Sequence, residues 1–200
     1  RQAAMMEPMA VAVHAMRRFS ISKDSSVCVI GLGTIGLLLT MFLKSEGIEN
    51  VYVIGNKEMQ KKYVRELDVT EEYFNTEHIS ADYVFECVGK NETVNEAIEL
   101  AAPDGHIIMV GNPYSDMDIS KDLYWKILRK QLKISGTWNS SYTGEVIDDW
   151  HYVLEKLEKE QINPEMFITH EYSIDDIQTG MEIMRDKTQE YVKIMCDKKY

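Results

Sequence analysis

Three cysteines are all that 200 residues supply, and Cys28, Cys87 and Cys196 stand far apart with no CxxC or histidine pair beside them. So scattered and odd a set spells neither a disulfide framework nor a zinc cage, and it fits a reducing cytoplasm. Basic residues are also few: 22 Lys and Arg against 33 Asp and Glu leave a formal charge of −11. Such a field repels phosphate backbones and anionic lipid, which argues against nucleic acid and membrane surfaces as partners and requires any phosphate site to be local. The longest apolar stretch, around Ile35 to Leu43, is too short to span a bilayer, and no basic segment followed by an apolar core opens the chain. Internal repeats, low-complexity tracts and long linkers are missing too. Arg1 stands where a methionine would be expected, and a catalytic-looking segment follows almost at once, so a preceding part is expected to be absent.

What is present is an alternation. From Val27 onward, short β-rich runs alternate with helical stretches, the pattern of βαβ units around a parallel sheet. Strands are expected at Val27–Ile30, Val51–Ile54, Tyr73–Phe74, Tyr83–Cys87, His106–Val110 and Lys133–Gly136, six in all, enough for a doubly wound sheet. Helices are expected over Ile35–Glu46, Lys57–Leu67, Glu92–Ala102 and Lys121–Lys130, where apolar residues recur at spacings of three and four, as in Val94, Ala97, Ile98 and Ala101. Asn91 is positioned to cap the third helix and Pro103-Asp104-Gly105 to end it. Further on, Val146, Trp150, Val153, Leu154 and Leu157 fall on one helical face. Glu171–Met184 continues helically, and "YVKIMCD" is a final strand. The link "NTEHISAD" is too short for a full crossover helix.

The first strand runs into Gly31, Gly33 and Gly36, spaced G-x-G-x-x-G and followed directly by a helical run. In this context Gly31 permits a tight turn, Gly33 lets the backbone approach a pyrophosphate, and Gly36 lets the helix pack on the strand. The helix N-terminus adds free N–H donors and partial positive charge, so an acidic protein can still bind a dinucleotide. The plainer alternative is a tight turn without a ligand. The second strand ends in Gly55-Asn56-Lys57, where such folds often carry an acid that bonds the adenosine ribose 2′-hydroxyl. Gly55 leaves room, Asn56 can donate, and Lys57 offers a cation to a 2′-phosphate, which favours NADP(H) over NAD(H). Alternatively, Lys57 is a solvated first-turn residue and the ribose is held by backbone or by Glu58.

The segments "MMEPMAVAVHAMRR", "GLGTIG", "ADYVFECVG", "GHIIMVGNP" and "ILRKQLKISGTWNSS", in that order, resemble the zinc-dependent medium-chain dehydrogenases, and among them the sorbitol and galactitol-phosphate dehydrogenase branch. The resemblance covers Met5 to nearly the C-terminus. It implies an α/β protein with a Rossmann-type doubly wound parallel sheet of six strands. It divides the chain into an entry helix and remnant of a catalytic domain at 1–22, a dinucleotide-binding domain at 23–165, and a segment returning toward the catalytic domain at 166–200. It further implies oxidation of an alcohol or polyol to a ketone, with zinc polarising the substrate oxygen while hydride passes to nicotinamide. The zinc ligands would lie in an N-terminal catalytic domain that this sequence lacks, so the fragment alone would be inactive and zinc would belong to the full-length enzyme only.

Residue by residue, the resemblance carries Glu7 to a position at the zinc, as ligand or through its water. Its bland role is a first-turn acid on a helix that begins at Pro8 and buries Met9, Ala12, Val13 and Met16. Thr34 and Ile35 would line the pyrophosphate and nicotinamide, and Cys87, Val88 and Gly89 would close the adenosine side. Val110, Gly111 and Asn112 would approach the nicotinamide ribose, Thr137, Trp138 and Asn139 its carboxamide, and Lys193 would bring a cation near the pyrophosphate. Relatives often dimerise through the edge strand around Ile134–Thr137, so a homodimer is expected. The histidines, His14, His78, His106, His151 and His170, share no ligand spacing. Two alternatives stand beside this. Tyr152 and Lys156 form Y-x-x-x-K after Ser140 and Ser141, resembling the catalytic set of short-chain dehydrogenases, whose glycine spacing and Asn-Asn-Ala-Gly strand end are absent here. The chain could also be a dinucleotide-binding module or sensor without chemistry.

Overall fold

The computed structural model describes residues 1–69 and 79–197. Its elements are α1 (Met6–Arg17), β1 (Val27–Ile30), α2 (Thr34–Ser45), β2 (Val51–Ile54), α3 (Glu58–Glu66), β3 (Ala81–Glu86), α4 (Asn91–Leu100), β4 (Ala101–Met109), α5 (Lys121–Arg129), β5 (Lys133–Gly136), α6 (Asp149–Glu158), β6 (Ile168–Tyr172), α7 (Ile177–Asp186) and β7 (Lys193–Cys196). The first five strands form one parallel sheet in the order β2-β1-β3-β4-β5, and β6 and β7 pair as a separate parallel ribbon. Among the described residues the main sheet therefore has five strands. The third expected strand, Tyr73–Phe74, lies outside the described residues, as does the first half of "NTEHISAD".

Alternation along the strands divides the core in two. Val27 and Val29 of β1, Phe85 of β3 and Ile108 of β4 face a cluster with α1, α2, α3 and α6. Cys28 and Ile30, Val84 and Ile107 face a second cluster with α4 and partly with α5. A sheet buried on both faces needs apolar residues in both registers, which is why β1 reads Val-Cys-Val-Ile without a polar break. α2 is correspondingly apolar around most of its circumference, with Leu37, Leu38, Leu39 and Phe42 fully buried. Each such side chain contributes about 1.5–3 kcal/mol of transfer free energy. The hydroxyl of Thr40, inside the same helix, is satisfied by the Gly36 carbonyl at 2.8 Å.

Several boundaries differ from the sequence expectation for identifiable reasons. α4 ends at Leu100 and β4 begins at the next residue, so Pro103-Asp104-Gly105 is an irregular stretch inside the strand and not a helix-ending turn. Ala81 pairs with Ala101 while Tyr83 pairs with His106, and the surplus residues of β4 bulge out through Asp104 at φ 61°. The end of α4 is capped from a distance. The Lys130 ammonium donates to the carbonyls of Ile98, Glu99 and Ala101, and its burial there lowers the Lys130 pKa. Asn91 is the first residue of α4 and does not cap it; Lys90 occupies the N-cap position, and the Asn91 side chain accepts the Asp118 N–H instead.

α6 starts only at Asp149, because the buried Asp148 carboxylate takes the N–H groups of Thr143, Gly144 and His151 and so builds a turn and a cap where a longer helix was expected. Val146 therefore lies outside the helix and exposed, and Leu154 is half out; Val153 is the fully buried residue of the expected face. Between Glu171 and Met184 the helix does not begin at once: Tyr172 ends β6, and the Ser173 hydroxyl caps the turn that leads into α7. No helix among the described residues is long and apolar enough to cross a membrane.

Candidate functional site

All five strands of the main sheet end on one edge, and the chain steps from β1 to β2 on one side and from there to β3 on the other. The carboxyl ends of β1 and β3 therefore flank a crevice at a switch point in strand order, the place where open α/β sheets leave room for a ligand. Ladder bonds continue past the strands to fix its walls: Gly31 N–H donates to Ile54 O, Cys87 N–H to Ile30 O, Val110 N–H to Glu86 O and Thr137 N–H to Met109 O.

The glycine turn is held by close backbone contact. Gly31 has φ 94°, a conformation that favours glycine. A Cβ on Gly36 would lie 1.8 Å from the Gly31 carbonyl oxygen, so no side chain fits between helix and strand there. Gly33, the N-cap of α2, differs: an added Cβ would meet nothing within 4 Å, and no side chain caps the helix. Its surroundings are open space faced by N–H groups that the first turn of a helix leaves without intrahelical partners. The turns after β3 and β4 are as tightly apposed as Gly31 and Gly36. A Cβ on Gly89 would reach 1.8 Å from Asn112 O, and one on Gly111 2.3 Å from Gly89 N.

Two cavities run along this edge and share Cys87. The first, 560 Å³, is lined by Gly31, Gly33, Gly55, Asn56, Lys57, Cys87 and Val88, together with Lys90, Glu96, Lys187 and Tyr191. The second, 300 Å³, is lined by Val11, Ile35, Cys87, Val110, Gly111, Asn112, Thr137, Trp138 and Asn139. The sequence-predicted residues are thus gathered around two adjacent cavities, with a few placed apart. Gly36 packs beneath the turn and Gly89 behind it. The Thr34 hydroxyl donates to Val192 O at 2.5 Å. Glu7 is exposed in the first turn of α1, four residues before the cavity-lining Val11 and so on the same helix face. Lys193 stands in β7, where its carbonyl accepts the Thr169 hydroxyl, and it lines neither cavity; the C-terminal segment contributes Lys187 and Tyr191 to the crevice in its place.

Sequence reading also missed two residues that hold the turns. Gln60, buried in α3, accepts the N–H groups of Asn56 and Lys57 and donates to Leu32 O at 3.0 Å, tying the turn after β2 to the glycine turn. Glu86, buried at the end of β3, accepts from Val88 N–H, Gly89 N–H and the Thr93 hydroxyl. A lone acid in the apolar run "YVFECV" was the available signal, since a buried carboxylate needs several donors.

The residues fit a nicotinamide dinucleotide. Gly33 leaves open space in which an added Cβ would meet no protein atom within 4 Å, and Thr137 Oγ1, beside the second cavity, is a buried hydroxyl without a partner among the described residues. Burial, with Glu86 nearby, pushes the Cys87 thiol well above its ordinary pKa, so it forms a neutral wall and not a nucleophile. A metal does not fit in the same way: among the described residues no three His, Cys, Asp or Glu side chains converge. His14 pairs with Asp149, His151 with Asp148, His170 with Gln189, and His106 stacks on Tyr83.

The Tyr152 and Lys156 pair is far from this edge. Both side chains bind Glu46, which follows the last residue of α2, a helix of 12 residues and so roughly 18 Å long. Burial and Glu46 raise the Tyr152 pKa, the reverse of what a catalytic tyrosine acid requires. The short-chain alternative is corrected on both counts.

Comparison with known proteins agrees with the geometry. The sorbitol dehydrogenase of Halalkalibacterium halodurans is 29% identical over 98% of this chain and 58% of its own length. The galactitol 1-phosphate 5-dehydrogenase of Escherichia coli K12 is 26% identical over 86% of the chain and 53% of its own length. A crystal structure of galactitol-1-phosphate dehydrogenase from E. coli superposes with a TM-score of 0.83 at 22% identity, covering 95% of this chain and 58% of that one. The chain thus spans about half the length of the relatives it matches. The pattern described as zinc-binding dehydrogenase matches residues 34–159, from the first turn of α2 to the end of α6, and the chain belongs to that family.

Proposed function

We propose that this chain is the cofactor-binding part of a zinc-dependent alcohol or polyol dehydrogenase, and that it holds NADP(H) in preference to NAD(H). The observation that carries the reading is the pair of adjacent cavities that share Cys87 in their walls, the first of them lined by the glycine turn. Similarity to sorbitol and galactitol 1-phosphate dehydrogenases supports a polyol or its phosphate as substrate class.

When bound, the dinucleotide accepts or returns a hydride. The chain's own residues bind and orient it. The N–H groups at the start of α2 take the pyrophosphate beside Gly31 and Gly33. Gly55, Asn56 and Lys57 receive the 2′ position of the adenosine ribose, and Cys87 and Val88 close that side, with Gly89 packed behind them. Val110, Gly111 and Asn112 face the nicotinamide ribose. Thr137, Trp138 and Asn139 face the carboxamide, which gives the Thr137 hydroxyl the partner it lacks. Glu7 lies on the helix face that leads to this end of the site; alone it cannot hold zinc, so the metal would belong to the whole protein.

The same reading makes the chain by itself inactive and the whole protein a cytoplasmic homodimer. β5 is an edge of the sheet, with Ile134 exposed on it and Trp125 and Leu128 exposed on the preceding helix. Titrating the chain with NADPH and NADH by cofactor fluorescence at fixed salt tests the cofactor assignment. NADPH should bind more tightly, and Lys57→Ala should weaken it about fivefold while NADH changes little. Tighter NADH binding would refute the NADP(H) preference and leave the site; failure of both to bind would refute the site.

A further inference from the structure

In the sequence, Lys57 is the one cation offered to the phosphorylated dinucleotide beside Gly55 and Asn56, but the crevice holds more positive charge than one lysine supplies. Among the described residues Lys57, Lys90 and Lys187 line it, against the single carboxylate of Glu96. Within a chain of formal charge −11, a cavity walled by three ammonium groups and one acid is a local inversion of sign. The pyrophosphate already has the bare N–H groups around Gly33, so it does not account for lysines that share a wall with Gly55.

The three lysines are not equivalent. The Lys90 ammonium lies 5.8 Å from the centre of the Tyr114 ring, a contact that partly occupies it. Lys187 follows the last residue of α7, its N–H bonded to Ile183 O at 2.9 Å, and its ammonium makes no ion pair among the described residues. Four residues later Tyr191 lines the same cavity, and the Lys57 ammonium stands 5.8 Å from the centre of its ring. Tyr191 thus joins the turn after β2 to the C-terminal segment. That segment is fixed beside the glycine turn: Val192 O accepts the Thr34 hydroxyl, and Val192 N–H donates to Thr169 Oγ1.

We propose that Lys187 is a second specificity-determining residue for the 2′-phosphate of NADP(H), acting with Lys57 on the same group. The inference rests on the NADP(H) reading above. A phosphate monoester near neutral pH carries close to two negative charges and three acceptor oxygens, more than one ammonium neutralises or saturates. A lysine from each of two distant parts of the chain supplies the second partner.

The test uses adenosine 2′,5′-bisphosphate and adenosine 5′-monophosphate, which probe the adenosine end alone, titrated calorimetrically into the chain and into Lys187→Gln, Lys187→Arg and Lys57→Gln. The wild-type chain should favour the bisphosphate. Lys187→Gln should weaken the bisphosphate about fivefold, leave the monophosphate within twofold, and flatten the salt dependence of bisphosphate binding. Lys187→Arg should keep the preference. If Lys187→Gln weakens both ligands equally or neither, while Lys57→Gln still removes the preference, the role of Lys187 is overturned and the NADP(H) reading survives. If the wild-type chain shows no preference, or binds neither ligand, both fall. Circular dichroism of each variant separates any loss of fold from loss of binding.

Discussion

The two ends of α2 are built on opposite rules. At its C-terminal end stand the side chains that look most like a catalytic set, Tyr152 and Lys156, and both are consumed by Glu46. Burial alone would raise the Glu46 carboxyl, but its bonds to Lys156 and Tyr152 hold it below the ordinary value. At its N-terminal end there is little but glycine, and the groups that matter are backbone N–H groups facing open space at Gly33. Saturated hydrogen bonds stabilise; unsaturated ones are available to a ligand. A motif of reactive side chains is therefore weaker evidence of function than a place where the backbone has been left bare.

Breaking the bare end gives the largest expected effect. Gly36→Ala places a Cβ 1.8 Å from the Gly31 carbonyl, so strand and helix must separate. It should cost about 3 kcal/mol of stability, read by denaturant unfolding, and abolish NADPH binding. Gly33→Ala sharpens the contrast, because its Cβ meets no protein atom and its backbone, at φ −75° and ψ −167°, suits alanine. Stability should stay within about 0.5 kcal/mol of wild type while NADPH affinity falls about tenfold. A Gly33→Ala variant that binds normally would remove the pyrophosphate from this turn. At the saturated end, Tyr152→Phe deletes one hydrogen bond to Glu46, which should lower stability by about 1 kcal/mol and leave NADPH affinity unchanged. Loss of binding there would revive the short-chain alternative.

Much of this was legible in the sequence because it is local. The Val-Cys-Val-Ile strand, the glycine spacing and the helix that follows lie within 20 consecutive residues, and their periodicity carried both element type and the identity of the turn. What could not be read depends on partners remote in sequence. The end of α4 is fixed by Lys130, some 30 residues on, so in the sequence the nearer Pro-Asp-Gly reads as the stop. α6 begins late because Asp148 captures backbone groups before it, a capping choice that hydrophobic periodicity does not record. In the site, Gln60 looked like an ordinary polar residue of a helical run, and only the fold puts its amide against Leu32 O. Lys187 and Tyr191 belong to the same class, since nothing in their spacing refers to a turn more than 150 residues earlier.

The bond from the Thr34 hydroxyl to Val192 O, together with Tyr191 in the crevice wall, sets an order in time. The glycine turn and α2 draw on neighbouring residues, whereas the bond that closes the crevice joins residues 158 apart. Until residue 192 has been synthesised, a chain with a complete glycine turn still lacks one wall of its nucleotide site. Dinucleotide capture at the proposed site therefore draws on both ends of the described chain, so that binding would report the docking of the one on the other.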